Sequence, residues 1–301
     1  MIKSVSVINY RNERIDMILD KPELSGFIVH KIDGLGPAKA NVNITDIITT
    51  DGGIFNSARL SSRNIVISLR FFGEDIETIR QKAYKYFPIK KELTFIVKTD
   101  NRELQISGVV ESNEPDIFSK DEGTIISIIC PNPYFYEETL NYTVFAGVEP
   151  EFEFPFSNES LTEPLLIMSE IQNRTENAIS YSGDSDVGVT MYIHCIGPVG
   201  DITIWNINTR QKMVINSQKA ARLINSTAFN TLDDIVIRTE RGMKSIYLLR
   251  EGHIYNILGS LDVGSEWLRI YKGDNIYAFT ATSGVENLQF KVENRILYEG
   301  V

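Results

Sequence analysis

Apolar and polar residues alternate with a period of two along most of this chain, the signature of half-buried β-strands. Ile65, Ile67, Leu69 and Phe71 alternate with Asn64, Val66, Ser68 and Arg70. Leu93, Phe95 and Val97 alternate with Thr94, Ile96 and Lys98. Leu104 and Ile106 lead on toward Val110, and Ile126, Ile128 and Cys130 close the series. Gly, Pro, Asn or Asp separates most of these runs, as hairpin connections require. From about Glu163 the pattern predicts strand after strand: 192–196, 202–207, 212–215, 235–239, 245–249, 267–271, 275–280 and 288–292. Short turns at that spacing predict an antiparallel β-sandwich.

One segment departs from the strand period. Residues 74–87 place Ile76, Ile79, Ala83 and Phe87 on one face at spacings of three and four, which predicts an amphipathic helix. Acidic residues open it, basic residues close it, and Pro88 ends it, in keeping with the helix dipole and with proline's missing donor. A single such helix among strands must lay its stripe on a sheet. The N-terminal half is therefore expected to be α+β.

Residues 41–62 are β-prone but mostly polar, with a strong turn signal at Asp51-Gly52-Gly53. Both faces look thin in large apolar residues, so the hairpin has little core of its own to enter. It is expected to project as an arm; the other reading is an ordinary surface hairpin.

The run Cys130-Pro131-Asn132-Pro133-Tyr134-Phe135-Tyr136 stops the N-terminal alternation. Two prolines fix φ and remove backbone donors, and three aromatics follow where a polar linker would be usual. A stiff and sticky boundary predicts two domains in a set relation, with Pro131, Pro133, Tyr134, Phe135 and Tyr136 as the joint. The expected division is 1–136, a linker or extended strip at 137–162, and 163–301. Within the strip, Phe152, Phe154 and Phe156 share one side and are expected to pack on a domain surface or on a neighbouring subunit.

Composition narrows the functional classes. At 301 residues and 43% hydrophobic, the chain is long enough for two domains with real cores. No apolar run is long enough to span a bilayer, and Met1–Tyr10 is too polar for a secretory h-region, so a protein made in a cytoplasm is expected. The net charge of −10 is spread over both halves, −4 in 1–150 and −6 in 151–301. No basic stripe exists to neutralise phosphates, which argues against sequence-specific nucleic-acid binding.

Candidate chemistry is sparse. His30, His194 and His253 form no metal-ligand or nucleophile-base pattern. Cys130 and Cys195 are expected to be buried hydrophobes. Gly34-Leu35-Gly36-Pro37 lacks the third glycine and the helix of a phosphate cradle. Asp184-Ser185-Asp186 lacks the spacing of a calcium loop, and Glu137 and Glu138 are adjacent, so in a strand they cannot flank one glycosidic bond. Trp205 and Trp267 lie in strand patterns and are expected in the core. No enzyme activity, cofactor or metal is expected.

Taken in order, these parts resemble the distal tail proteins of long-tailed bacteriophages. The resemblance rests on the Asp51-Gly52-Gly53 hairpin, the strand 63–72, the helix ending at Pro88, the strand pair 93–110 and Cys130-Pro131-Asn132-Pro133-Tyr134. It continues through Phe152-Glu153-Phe154-Pro155-Phe156, residues 200–209 and the Gly273-Asp274-Asn275 turn. It implies a split-barrel ring domain bearing a helix and a projecting hairpin, followed by a galectin-like β-sandwich; in such a ring, the hairpin with its turn at Asp51, Gly52 and Gly53 is expected to complete a neighbouring subunit's sheet by strand addition. It further implies a homo-hexameric ring at the virion tail tip. That ring would lie between the tail tube protein and the tail-associated hub protein, near receptor-binding or other baseplate proteins. The tape-measure protein and the genome would pass through its centre. The competing expectation is a glycan-binding β-sandwich module or adhesin.

Overall fold

The computed structural model describes residues 1–47, 51–150 and 169–301. The chain forms two compact units. The first comprises Met1–Glu138 with Leu297–Val301, and the second Thr139–Ile296. Each is described by itself.

The first unit contains β1 (Ile2–Asn9), β2 (Arg14–Ile18), a short helix α1 (Pro22–Ser25), β3 (Phe27–Asp33), β4 (Ala40–Asp46), β5 (Gly53–Leu60) and β6 (Arg63–Phe71). These are followed by α2 (Ile76–Tyr86), β7 (Glu92–Thr99), β8 (Glu103–Asp116), β9 (Gly123–Cys130) and β10 (Phe135–Tyr136). The main sheet runs β2-β1-β7-β8-β9-β6-β3, antiparallel and open, with β2 and β3 as its edges. The alternation read from sequence sets which face is inside: Ile65, Ile67, Leu69, Phe95, Ile106, Ile126 and Ile128 all enter one core. Helix α2 lies on that core through Ala83 and Phe87, both fully buried, with Ile76 and Ile79 partly so. Asp75 caps it, accepting from the Thr78 N–H at 3.1 Å and the Thr78 hydroxyl at 2.6 Å. Helix α1 has too few residues to show a period and was not legible in the pattern.

The second unit contains β11 (Asn141–Pro150), β12 (Ser169–Asn173), β13 (Glu176–Tyr181), β14 (Val187–Gly188), β15 (Thr190–Cys195), β16 (Ile202–Asn206), β17 (Gln211–Ile215), α3 (Ser217–Ile224), β18 (Asp233–Arg238), β19 (Ser245–Arg250), β20 (His253–Asn256), β21 (Arg269–Ile270), β22 (Gly273–Ala281) and β23 (Leu288–Asn294). A seven-stranded sheet runs β12-β11-β23-β15-β18-β19-β20, and a four-stranded sheet runs β13-β22-β16-β17. Their inner faces meet. Phe279 of the smaller sheet stands 5.0 Å from Phe290 and 6.5 Å from Phe145 of the larger, ring centre to ring centre. This is the sandwich expected from the strand spacing. Trp205 and Trp267 are not in its core. Trp205 points outward from β16 between buried Ile204 and Asn206, and Trp267 is half-buried beneath Lys244 at 5.2 Å. The period-2 pattern of β16 decides this: Ile202 and Ile204 take the inner face, so Trp205 cannot.

After the second unit the chain returns to the first. A last strand, β24 (Leu297–Tyr298), pairs with β10 through Phe135↔Tyr298 and Tyr136↔Leu297. Thus 297–301 belongs with residues 1–138 rather than with the sandwich. Two residues of strand are too few to register as alternation.

Candidate functional site

Strands β4 and β5 pair with each other and, among the described residues, with no other strand. Almost every residue of the hairpin is exposed. Its register has one irregularity: Asn43 faces Ser57, but Ile44 faces Phe55, so Asn56 is the extra residue of a β-bulge. The consequence is chemical. Strict alternation would put Phe55 on the face of Ser57 and Arg59. The bulge turns it to the face of Ala58 and Leu60. One side of the ribbon then carries the pairs Ala40/Leu60, Val42/Ala58 and Ile44/Phe55, and the other carries Asn41/Arg59, Asn43/Ser57 and Thr45/Ile54. The hairpin is therefore amphipathic, contrary to the sequence expectation that both faces are thin in apolar residues. Val42, Ile44 and Phe55 are each more than half exposed. Burying such side chains against a partner is worth roughly 1.5–3 kcal/mol each.

The turn is held locally. The Ile47 N–H donates to the Gly52 carbonyl at 3.4 Å, and Asn56 Nδ2 donates to Thr45 Oγ1 at 2.6 Å. Gly53 is required by space, since a Cβ there would lie 2.5 Å from Ile44 Cγ2 and 3.0 Å from the Thr45 carbonyl. Asp51, Gly52 and Gly53 are all exposed at this end.

The root of the hairpin is anchored by Arg63. Its position in β6 is in phase with Ile65 and Ile67, so it points inward, and it is only 4% exposed. Its guanidinium donates from Nε to the Pro133 carbonyl at 2.7 Å, from Nη1 to the Gly34 carbonyl at 2.6 Å and to that of Gly36, and from Nη2 to the Glu299 carbonyl at 2.6 Å. It also stacks 4.7 Å over the Phe135 ring. The planar fork of arginine suits this cluster of acceptors, and a lysine could not match it. Burial alone pulls the Arg63 pKa below its ordinary value. Gly34 has φ +89 and approaches the Asn64 carbonyl too closely for any Cβ. The Val301 N–H adds a bond to the Leu35 carbonyl at 3.1 Å.

This cluster holds the aromatic run that ends the first unit's alternation. Phe135 is fully buried in the first core, Pro133 and Tyr134 are half-buried, and Pro131 is exposed. Tyr136 pairs with Gln105 of β8, its hydroxyl 2.9 Å from Ser107 Oγ. Phe152, Phe154 and Phe156 lie outside the described residues. Arg63 and the segment 297–301 were not singled out in the sequence. For Arg63 a signal existed: a basic residue in phase with the buried side of an apolar strand.

The remaining polar candidates have other employment. The Gly34 and Gly36 carbonyls, not N–H groups, face a cation, the reverse of a phosphate cradle. Asp186 pairs with Arg269 at 2.7 Å and Asp184 with Lys272 at 3.5 Å. His194 Nδ1 meets Asp234 Oδ1 at 2.7 Å on the outer side of the larger sheet. Burial pushes the Cys130 thiol up to about 11 and the Cys195 thiol up to about 12, so neither is a thiolate near neutrality. Among the described residues no group of three or more His, Cys, Asp or Glu side chains is arranged to hold a metal.

Comparison with known proteins was informative through structure. No family model and no curated protein sequence matches the chain. The crystal structure of the Dit protein of phage SPP1, described as a paradigm of the hub adsorption apparatus in phages infecting Gram-positive bacteria, is similar over 97% of this chain and 98% of its own. Its TM-score is 0.64 at 13% identity. A chain of the phage P2 baseplate in its activated conformation with calcium is similar over 98% of both chains, at 11% identity and a TM-score of 0.48, too low to carry an argument. The chain has the fold of the SPP1 Dit protein.

Proposed function

We propose that this chain is a structural component of a phage tail tip, a distal tail protein that assembles into a homo-hexameric ring. In this reading the ring joins the tail tube to the hub and adsorption apparatus and leaves a central passage for the tape-measure protein and the genome. The observation that carries it is the match to the SPP1 Dit fold over nearly the whole length of both chains. The unpartnered amphipathic hairpin supports it, because an apolar face this exposed is costly unless another subunit covers it. The net charge of −10 suits a channel past which DNA must slide without sticking. The run Pro131–Tyr136 serves as the anchored exit from the ring-building unit, held by Arg63 and by β24.

Antibodies raised against the purified chain test the location. In particles from a strain carrying the gene they are expected to decorate one end of the tails, opposite the capsid. Decoration of capsids, or of whole cells without particles, contradicts it.

A further inference from the structure

The hairpin is polar along its length as well as across its faces. Between residues 39 and 63 the only charged residues are Lys39, Arg59 and Arg63 at the root and Asp46 and Asp51 at the tip. Lys39, Arg59, Asp46 and Asp51 are all exposed, and among the described residues none of them forms an ion pair. Beside the root lies a cleft of about 340 Å³ lined by Gly36, Pro37, Lys39, Ser62 and Asn64, with Arg63 as part of its wall. The seven residues of β4 span about 23 Å at some 3.3 Å each. A tip that far from its own root cannot fold back into its own cleft.

Building on self-assembly as proposed above, we infer that the root cleft is the receptor for the acidic hairpin tip of a second copy of this chain. The tip carboxylates of Asp46 and Asp51 are complementary to Lys39, Arg59 and the buried Arg63 charge, and the ribbon's apolar face supplies the area that such a contact covers. Exposed ion pairs contribute little energy by themselves; here they set direction and register, while Val42, Ile44 and Phe55 supply adhesion. Root and tip are different surfaces, so the contact is heterologous. Each copy gives one tip and receives one, which propagates head to tail and closes when the rotation permits.

Charge reversal with mixing tests this on the full-length chain. The root variant K39E/R59E has an acidic root and tip, and the tip variant D46K/D51K has a basic root and tip. Each alone is expected to lose assembly at least tenfold in the concentration required, with unchanged circular dichroism. Mixed one to one, they are expected to regain the wild-type mass in light scattering, because each tip then meets an opposite root. Wild-type assembly with variants that assemble equally well alone, or that are not rescued by mixing, overturns the tip-in-cleft contact and leaves the ring reading standing. Wild-type protein that is monomeric at every concentration removes self-assembly itself, and this contact with it.

Discussion

The Arg63 guanidinium donates to the backbone carbonyl of Glu299, 236 residues further along the chain, at 2.6 Å. The same side chain holds Gly34, Gly36 and Pro133. One buried residue thus ties the loop before the hairpin, the end of the first unit's sheet and the returning C-terminal segment. Arg63→Ala leaves several carbonyls without a donor and removes the stack on Phe135. A loss of about 3 kcal/mol in the first unit is expected. Arg63→Lys is expected to recover less than half of it, since one ammonium cannot serve the same fork of acceptors. Chemical denaturation followed by a probe in the first unit checks both.

Ending the chain at residue 296 removes β24, the Val301–Leu35 hydrogen bond and the contacts of Tyr298 and Val301 with the first core. The first unit is expected to lose about 2–4 kcal/mol. The described strands between residues 139 and 296 keep their pairings. Calorimetry is expected to show one transition shifted down by several degrees, and hydrogen exchange is expected to speed up around residues 34–36 and 135–136.

Gly53→Ala forces a Cβ against Ile44 and the Thr45 carbonyl. The hairpin buries almost nothing in either core, so the melting temperature is expected to stay within a degree or two. Amides of β4 and β5 are expected to exchange at least tenfold faster, and self-assembly is expected to weaken. Equal exchange in variant and wild type would show that the turn tolerates the added atom.

Acid acts on helix α2 through its cap. Hydrogen bonds from Thr78 hold the Asp75 carboxyl below its ordinary value of 3.8. A folded pKa below the unfolded one gives stability that is present above the unfolded value and is lost as pH falls through the folded one. The stability difference between wild type and Asp75→Ala is therefore expected to be largest above pH 4 and to shrink in more acidic buffer. A difference that is flat with pH would place the cap's contribution elsewhere.

Both thiols are shielded. With Cys130 pushed up to about 11 and Cys195 to about 12 by burial, neither is expected to react with a chromogenic disulfide reagent at pH 8 in the folded protein. Two equivalents are expected to react in denaturant. One fast equivalent in native buffer would mean that one of these cores opens.

Where periodicity is long, the fold was legible. Residues 63–71 alternate because Ile65, Ile67, Leu69 and Phe71 face the core, residues 93–97 keep Leu93, Phe95 and Val97 on that face although Ile96 between them is buried as well, and helix α2 carries its stripe at Ile76, Ile79, Ala83 and Phe87. Legibility failed where contacts are non-local or a register shifts. The Asn56 bulge flips Phe55 to the apolar face, and no count of alternating residues reveals an extra residue in one strand. The C-terminal return rests on two residues of ladder and on Arg63, a partner more than 200 positions away. Helix α3 at 217–224, capped by Asn216, follows directly on β17 and lies between the predicted strands 212–215 and 235–239, where the sequence pattern predicts no element.

The most direct measurement is the mass in solution of the wild-type chain beside a variant in which residues 41–60 are replaced by a short Gly-Ser turn. Multi-angle light scattering is expected to give six times the 34.1 kDa chain mass for the wild type, and a monomer with both units still folded for the variant. A wild-type monomer, or a variant that assembles as the wild type does, would contradict a ring built through the hairpin.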